Sequence, residues 1–267
     1  MREFPLDKYL ASGTEYSTDK RQALVIERVG TDSTTKGTLS VQGTPVLELI
    51  VNLAPLRKNT GVAVGPLDLG DLYVVVPPET DVKFEGASGS YLRIIGKVLQ
   101  LEPGEGLPSA YEARFRTQGD HYITYLYGYH DHGTDATWAA DDEEEVISLT
   151  PKTIEKYVLD GLMALAKSGK TFTPRMFALT AYLDNSPLEF LFSPTLREGI
   201  DVYSLPNYNE TSESEEMWSW AKYPLTVEGD HTLSLRIKNI SGADQTPDSG
   251  ASFRFDIWVL AKYHRAG

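Results

Sequence analysis

The chain contains no cysteine in its 267 residues, which removes disulfide frameworks, Cys-ligated zinc, iron–sulfur clusters and thiol nucleophiles together. Positive charge is also short. Lys and Arg number 25 against 38 Asp and Glu, a net charge of −13, and a surface of that sign repels phosphate instead of neutralising it, so nucleic acid is not an expected partner. No run reaches the roughly 18 apolar residues that a membrane-spanning helix needs, so no membrane partner is expected either. The opening Met1-Arg2-Glu3-Phe4-Pro5-Leu6-Asp7 places acids and a proline where an export signal would carry a basic start and an apolar core. Without such a signal, Asn209-Glu210-Thr211 and Asn239-Ile240-Ser241 read as chance glycosylation sequons in polar turns.

What is present is ordinary for a folded chain: 41% apolar and 24% charged residues, distributed mostly with a period of two. Branched aliphatics alternate in residues 23–29, 39–41, 46–51, 72–76, 82–85 and 91–101, and again in 176–183, 188–192, 200–205, 233–240 and 252–262. Glycine and proline pairs such as Pro77-Pro78 and Pro103-Gly104 punctuate them, as strand boundaries require. Residues 111–117 and 121–129, split by Gln118-Gly119-Asp120, read as a hairpin. One stretch breaks the rhythm. Thr150 and Pro151 suit a helix start, Ile154, Val158, Leu162 and Leu165 recur on one helical face, and Gly169 suits the end, so the pattern predicts an amphipathic helix over 151–169.

The expected organisation is therefore mainly β. It comprises an extended N-terminal arm (1–20), an antiparallel β-sandwich or jelly-roll-like domain (21–133), an acidic linker or loop (134–150), the helix, and a second β-sandwich domain (170–267). Gly119-Asp120-His121 and Gly229-Asp230-His231 each precede an alternating stretch, and their spacing is about one sandwich domain. Either they mark tandem related domains, or Gly-Asp is simply a common turn.

Catalytic motifs are wanting. Ala164 to Thr171 satisfies a relaxed phosphate-loop pattern, but it lies where a helix should end, so carbonyls instead of N–H groups would face the anion. No Gly-x-Ser-x-Gly elbow, His-Glu-x-x-His helix or dinucleotide fingerprint occurs. Glu48, Glu85, Glu112 and Asp256 are the carboxylates that a glycosidase reading would use. The run Asp141 to Glu145 reads as a solvated acidic loop, since it lacks the alternating ligands and central glycine of a calcium loop. His130 and His132 share one face of a strand, yet a first-row ion needs three or four ligands and His121 is the obvious third. The pair reads as a polar strand end, so neither metal nor cofactor is expected and no catalytic residue is assigned. Aromatic residues offer the contact candidates: Tyr125 and Tyr127 in a tyrosine-rich hairpin, and Trp218 and Trp220 on one face of a short strand beside the acidic stretch 210–216. Core packing is the competing explanation for both pairs.

Residues 74–97, from Val74-Val75-Val76-Pro77-Pro78 through Gly86-Ala87-Ser88-Gly89-Ser90 to Lys97, together with the closing strand from Phe253 to Tyr263, resemble the β-sandwich and jelly-roll proteins of prokaryotic (bacteriophage-type) virus particles. The resemblance implies a non-enzymatic virion structural protein: a capsid, decoration or tail-associated component assembled in the host cytoplasm from many copies of itself and other virion proteins. The alternative is a carbohydrate- or receptor-binding β-sandwich that presents its aromatics to a host glycan. In the window 207–230 six carboxylates oppose Lys222 alone, a net of −5. Such a patch repels its own copy, so a cyclic homo-oligomer with head-to-tail contacts that strengthen with salt is expected.

Overall fold

Alternating sequence becomes strand throughout the first part of the chain, because one face of each segment is apolar and finds a second sheet to bury it. The computed structural model describes residues 1–33, 35–49, 58–59, 62–63, 66–167, 173–188, 199–204, 218–219 and 224–266. These fall into two units, residues 1–125 with 262–267, and residues 126–261.

The first unit contains β1 (Arg2–Ala11), β2 (Glu15–Ser17), β3 (Gln22–Thr31), β4 (Gly37–Val41), β5 (Thr44–Leu49), β6 (Val74–Val76), β7 (Asp81–Glu85) and β8 (Tyr91–Gln100). One sheet has the order β1-β8-β3-β6 and the other β2-β7-β4-β5, with antiparallel pairing throughout. Strands from opposite ends of the sequence thus alternate across each sheet, which is the jelly roll. Leu24, Ile26, Leu92 and Ile94 from one sheet and Leu39, Leu47, Val82 and Phe84 from the other are all essentially inaccessible. The expected N-terminal arm is no arm: β1 pairs with β8 along its whole length, from Arg2↔Gln100 to Ala11↔Tyr91. Its two buried apolar residues, Leu6 and Leu10, suffice because ladder hydrogen bonds hold the rest of an edge strand.

The second unit repeats the plan. Its strands are β9 (His121–Thr134), β10 (Glu143–Leu149), β11 (Glu155–Lys167), β12 (Phe177–Leu183), β13 (Ser186–Pro187), β14 (Leu225–Val227), β15 (Leu233–Asn239) and β16 (Ser252–Arg265). The sheets run β9-β16-β11-β14 and β10-β15-β12-β13. Adding eight to every strand number of the first unit reproduces both orders, so the two jelly rolls share one topology. Phe253, Phe255, Ile257 and Val259 of β16 supply one wall of the core, and Phe177, Leu179, Leu233, Leu235 and Ile237 of the other sheet face them. The Gly-Asp-His echo is not the mark of this duplication, because its copies lead into β9 and β15, whose counterparts in the first roll are β1 and β7.

Three further sequence expectations are corrected. The helix predicted over 151–169 is strand β11 up to Lys167, with residues 168–172, and Gly169 among them, outside the described residues. Its apolar residues fit either period, and non-local pairing decides: Tyr157 and Leu159 pair with Val227 and Leu225, while Ile154, the first residue of the supposed helical face, is exposed. The helix actually lies at α1 (Ser109–Thr117), where a strand was expected. Pro108 precedes it, an i,i+4 pair links Glu112 to Arg116 at 2.6 Å, and Tyr111 packs against Ala23, Val25 and Leu99. Finally, the acidic linker 134–150 contains strand β10. Its Glu143 and Glu145 are tied by Arg236, Tyr182 and Ser234, which lets acidic residues sit in a sheet.

Candidate functional site

The polar cluster with the most chemistry sits at one end of the second roll. Strand β9 turns Leu126 into the core, and by the period of two Gly128, His130 and His132 share that inward face. Gly128 is required there. A Cβ on it would lie 1.9 Å from the carbonyl oxygen of Val146 on β10. At Val146 the β10/β15 register slips, between Glu145 and Ile147, and this bulge lets both Val146 and Ile147 be buried. The two strands run close at Gly128 and Val146, and two residues further along each, His130 meets Glu144. Glu144 pairs in register with Ile237, a core residue, so it stands on the inner face while Glu143 and Glu145 bond on the outer one.

His130, His132 and Glu144, all half-buried, place one ligand-type atom each within 4.8 Å of the others. His130 Nε2 lies 3.3 Å from His132 Nδ1. His132 Nε2 is 3.2 Å from the Thr137 carbonyl oxygen; since a carbonyl can only accept, Nε2 carries the proton and the Nδ1 lone pair points at His130. Trp138 forms the floor. It is fully buried, stacks on His132 at 4.3 Å and 14°, meets His130 edge-on at 5.3 Å and donates its indole N–H to the Asp142 carbonyl at 3.0 Å. Burial holds the His130 imidazole below its usual pKa, while the nearby Glu144 charge works the other way.

The residues singled out from sequence scatter. His121 joins His264, with Nδ1 atoms 2.9 Å apart, and does not join His130 and His132. Tyr125 is buried, whereas Tyr127 is 44% exposed. Tyr127 stacks on Trp258 at 5.4 Å and lies 6.3 Å from Tyr129, which carries Arg254 over its ring at 4.5 Å. Tyr127 donates its hydroxyl to Asp256 at 2.6 Å; burial and that carboxylate push its pKa up to about 12. Trp218 forms a two-residue ladder with Leu162, and Trp220, with most of the acidic stretch 207–230, lies outside the described residues. The four glycosidase candidates are each matched with a cation: Glu48 with Lys36, Glu85 with Lys83, Glu112 with Arg116 and Asp256 with Arg254. A cleft of about 500 Å³ at Thr173, Arg175, Met176, Ser241 and Gln245 has no carboxylate in its lining.

Sequence reasoning missed Glu144 and Trp138. Both lie in the stretch read as linker, where a lone tryptophan among polar residues was the available signal.

No family model matches the chain and no curated protein matches it. Among solved structures it is similar to the major capsid protein P2 of bacteriophage PM2, at 10% identity over 98% of each chain with a TM-score of 0.35. It is also similar to a chain of infectious bursal disease virus, Gx strain, at 11% identity over 100% of this chain and 77% of that one, TM-score 0.26. A third likeness is to VP2 in the subviral particle of infectious bursal disease virus, at 13% identity, 94% and 63% coverage and TM-score 0.24. Identity and TM-score are low in all three likenesses, and function is argued below from the chain's own features. Among the described residues no helix is long and apolar enough to cross a membrane.

Proposed function

We propose that this chain is a non-enzymatic virion structural protein that builds a particle from copies of itself. The observation that carries the reading is the duplication of one eight-strand jelly roll within a single chain. Jelly rolls occur in shells because two sheets filled with side chains make a rigid block whose outer faces and ends are free for lateral contact. Here most inward residues are committed to core, and the candidate acid–base carboxylates are each paired with a cation. What is left for function is surface. Tyr9 and Tyr91 are large, exposed aromatic residues on the same face of β1 and β8, a surface that another copy can cover.

Within that reading the finer assignment is a capsid, decoration or tail-associated component of a bacteriophage-type particle, assembled in the host cytoplasm. The subunit forms a cyclic homo-oligomer with head-to-tail contacts. Because each copy carries a net −13, screening by salt strengthens association. Analytical ultracentrifugation from low to high salt, followed by electron microscopy of the purified protein, tests this: rings or shells that grow with ionic strength are expected. A monomer at every concentration and salt level rejects it and favours the second reading, a glycan-binding module. That alternative rests on the exposed pair Tyr127 and Tyr129, whose ring faces suit a sugar, and it requires glycan binding lost on Tyr129→Ala.

A further inference from the structure

We propose that His130, His132 and Glu144 form a binding site for a divalent transition-metal ion of the zinc class, independently of the role proposed above. A first-row ion bound at about 2.0–2.1 Å by tetrahedral nitrogen ligands keeps those ligands about 3.3–3.4 Å apart. His130 Nε2 and His132 Nδ1 stand 3.3 Å apart, and the Glu144 carboxylate completes a set within 4.8 Å. Two imidazoles and one carboxylate match zinc, nickel or cobalt and are poor ligands for calcium or magnesium, which take oxygen. Three protein ligands leave a fourth position for water.

The surroundings are those of a built site. His132 donates its distal N–H to the Thr137 carbonyl, the outer contact that fixes the ligating tautomer and ring orientation in metal sites. Trp138 locks the same ring by stacking at 4.3 Å. Glu144 is brought in by the Gly128–Val146 crossing, a backbone feature that local solvation of an acidic residue does not require. Asp131 lies on the other face and is occupied by the Gly133 N–H at 3.1 Å. The ion would join β9 of one sheet to β10 of the other and close the end of the second roll.

The test uses the full chain, dialysed against EDTA and titrated with ZnCl2 by calorimetry, with CoCl2 followed by visible absorption. One equivalent should bind, with cobalt giving the intense visible bands of four-coordinate nitrogen and oxygen ligation. His130→Asn should abolish this equivalent and Glu144→Gln should weaken it at least tenfold. If His130→Asn fails to fold by circular dichroism, the nearly isosteric Glu144→Gln decides alone. Absence of zinc uptake overturns the proposal, as does uptake that Glu144→Gln leaves unchanged, since such an ion would sit elsewhere, for instance at the exposed Asp184 and His231.

Discussion

The two jelly rolls share the order of their eight numbered strands and differ where the first strand of each passes to the second. In the first roll residues 12–14 make the passage from β1 to β2, a short turn held by the Gly13 N–H on the Phe84 carbonyl at 2.9 Å. In the second roll residues 135–142 make the same passage from β9 to β10. That longer connection inserts Trp138 between Phe177 at 5.2 Å and Phe255 at 5.7 Å and is fastened by reciprocal backbone bonds between Trp138 and Gln245. The first roll puts its extra residues after β8, where α1 covers the outer face of β3. Strand order is thus the conserved scaffold of the duplication within this chain. Individual chemistry is added at connections, where insertions leave the ladders intact.

The sharpest way to break the comparison is to close the space that brings β9 against β10. Gly128→Val puts a branched side chain where even a Cβ would be 1.9 Å from the Val146 oxygen, and it should cost about 3 kcal/mol or more. All four tryptophans, Trp138, Trp218, Trp220 and Trp258, belong to residues 126–261, so indole fluorescence during urea unfolding reports the second roll directly. Its midpoint should fall steeply. The matching change in the first roll is Gly96→Val, where a Cβ would meet the Val25 oxygen at 2.0 Å; that loss should be seen in far-UV circular dichroism. A Gly128→Val chain with an unchanged fluorescence midpoint would show that the crossing does not hold the second roll together.

Most strands were legible because half-buried strands write their geometry as alternation, as in Phe253, Phe255, Ile257 and Val259. The failures have a common cause, which is long-range pairing overriding a local pattern. Val158 and Leu162 satisfy period two and a helical face equally well, and only the partners of β11 choose between them. Conversely, Ser109–Thr117 is mostly polar, and its one buried anchor is a charged residue, Arg114. The Gly128–Val146 crossing was invisible for a different reason: a glycine in a strand announces a close approach but not what approaches. Glu144 therefore read as one acid among five, and the duplication itself leaves no visible trace in sequence because only strand order is shared.

A second test concerns α1, the feature that the first roll has and the second lacks among the described residues. Arg114 is buried and donates to the carbonyls of Tyr73 at 2.8 Å, Leu72 at 3.1 Å and His121 at 3.0 Å, and burial pulls its pKa down to about 10. Arg114→Met fills similar volume but leaves three carbonyls without their donor, a loss of about 2–3 kcal/mol. Amide exchange should accelerate in residues 109–117 while β12 and β15 keep their protection. Arg114→Lys should rescue little, because a single ammonium cannot reproduce the fork.

The smallest expected effect separates two equivalent hairpins. Gln42 and Gly43, with φ of 50° and 74°, turn β4 into β5; Asp184 and Asn185, with φ of 49° and 64°, turn β12 into β13. Each turn anchors its first N–H on a carbonyl at or just before the start of the neighbouring strand, Gln42 on Asp81 and Asp184 on Thr232, both at 2.9 Å. Only the second adds a titratable pair. Asp184 accepts from His231 Nδ1 at 2.6 Å and from the Thr232 N–H at 2.8 Å. The carboxylate, helped by Asp230 and Glu228, raises the His231 pKa above its ordinary 6.5, and the imidazole and backbone bonds lower Asp184 below 3.8. His231 therefore stabilises the fold fully below 6.5 and loses its contribution as pH rises through its folded value. Asp184 contributes above 3.8 and loses its share as pH falls through its own folded value. Wild type should accordingly melt above His231→Asn near pH 5.5, by about 1 °C given the exposure of the pair, and the difference should vanish by pH 9. Gln42→Ala in the first roll should show no such pH dependence. A difference that persists undiminished at pH 9 would mean that the second hairpin is held by the backbone bonds it shares with the first, and that the ion pair adds nothing.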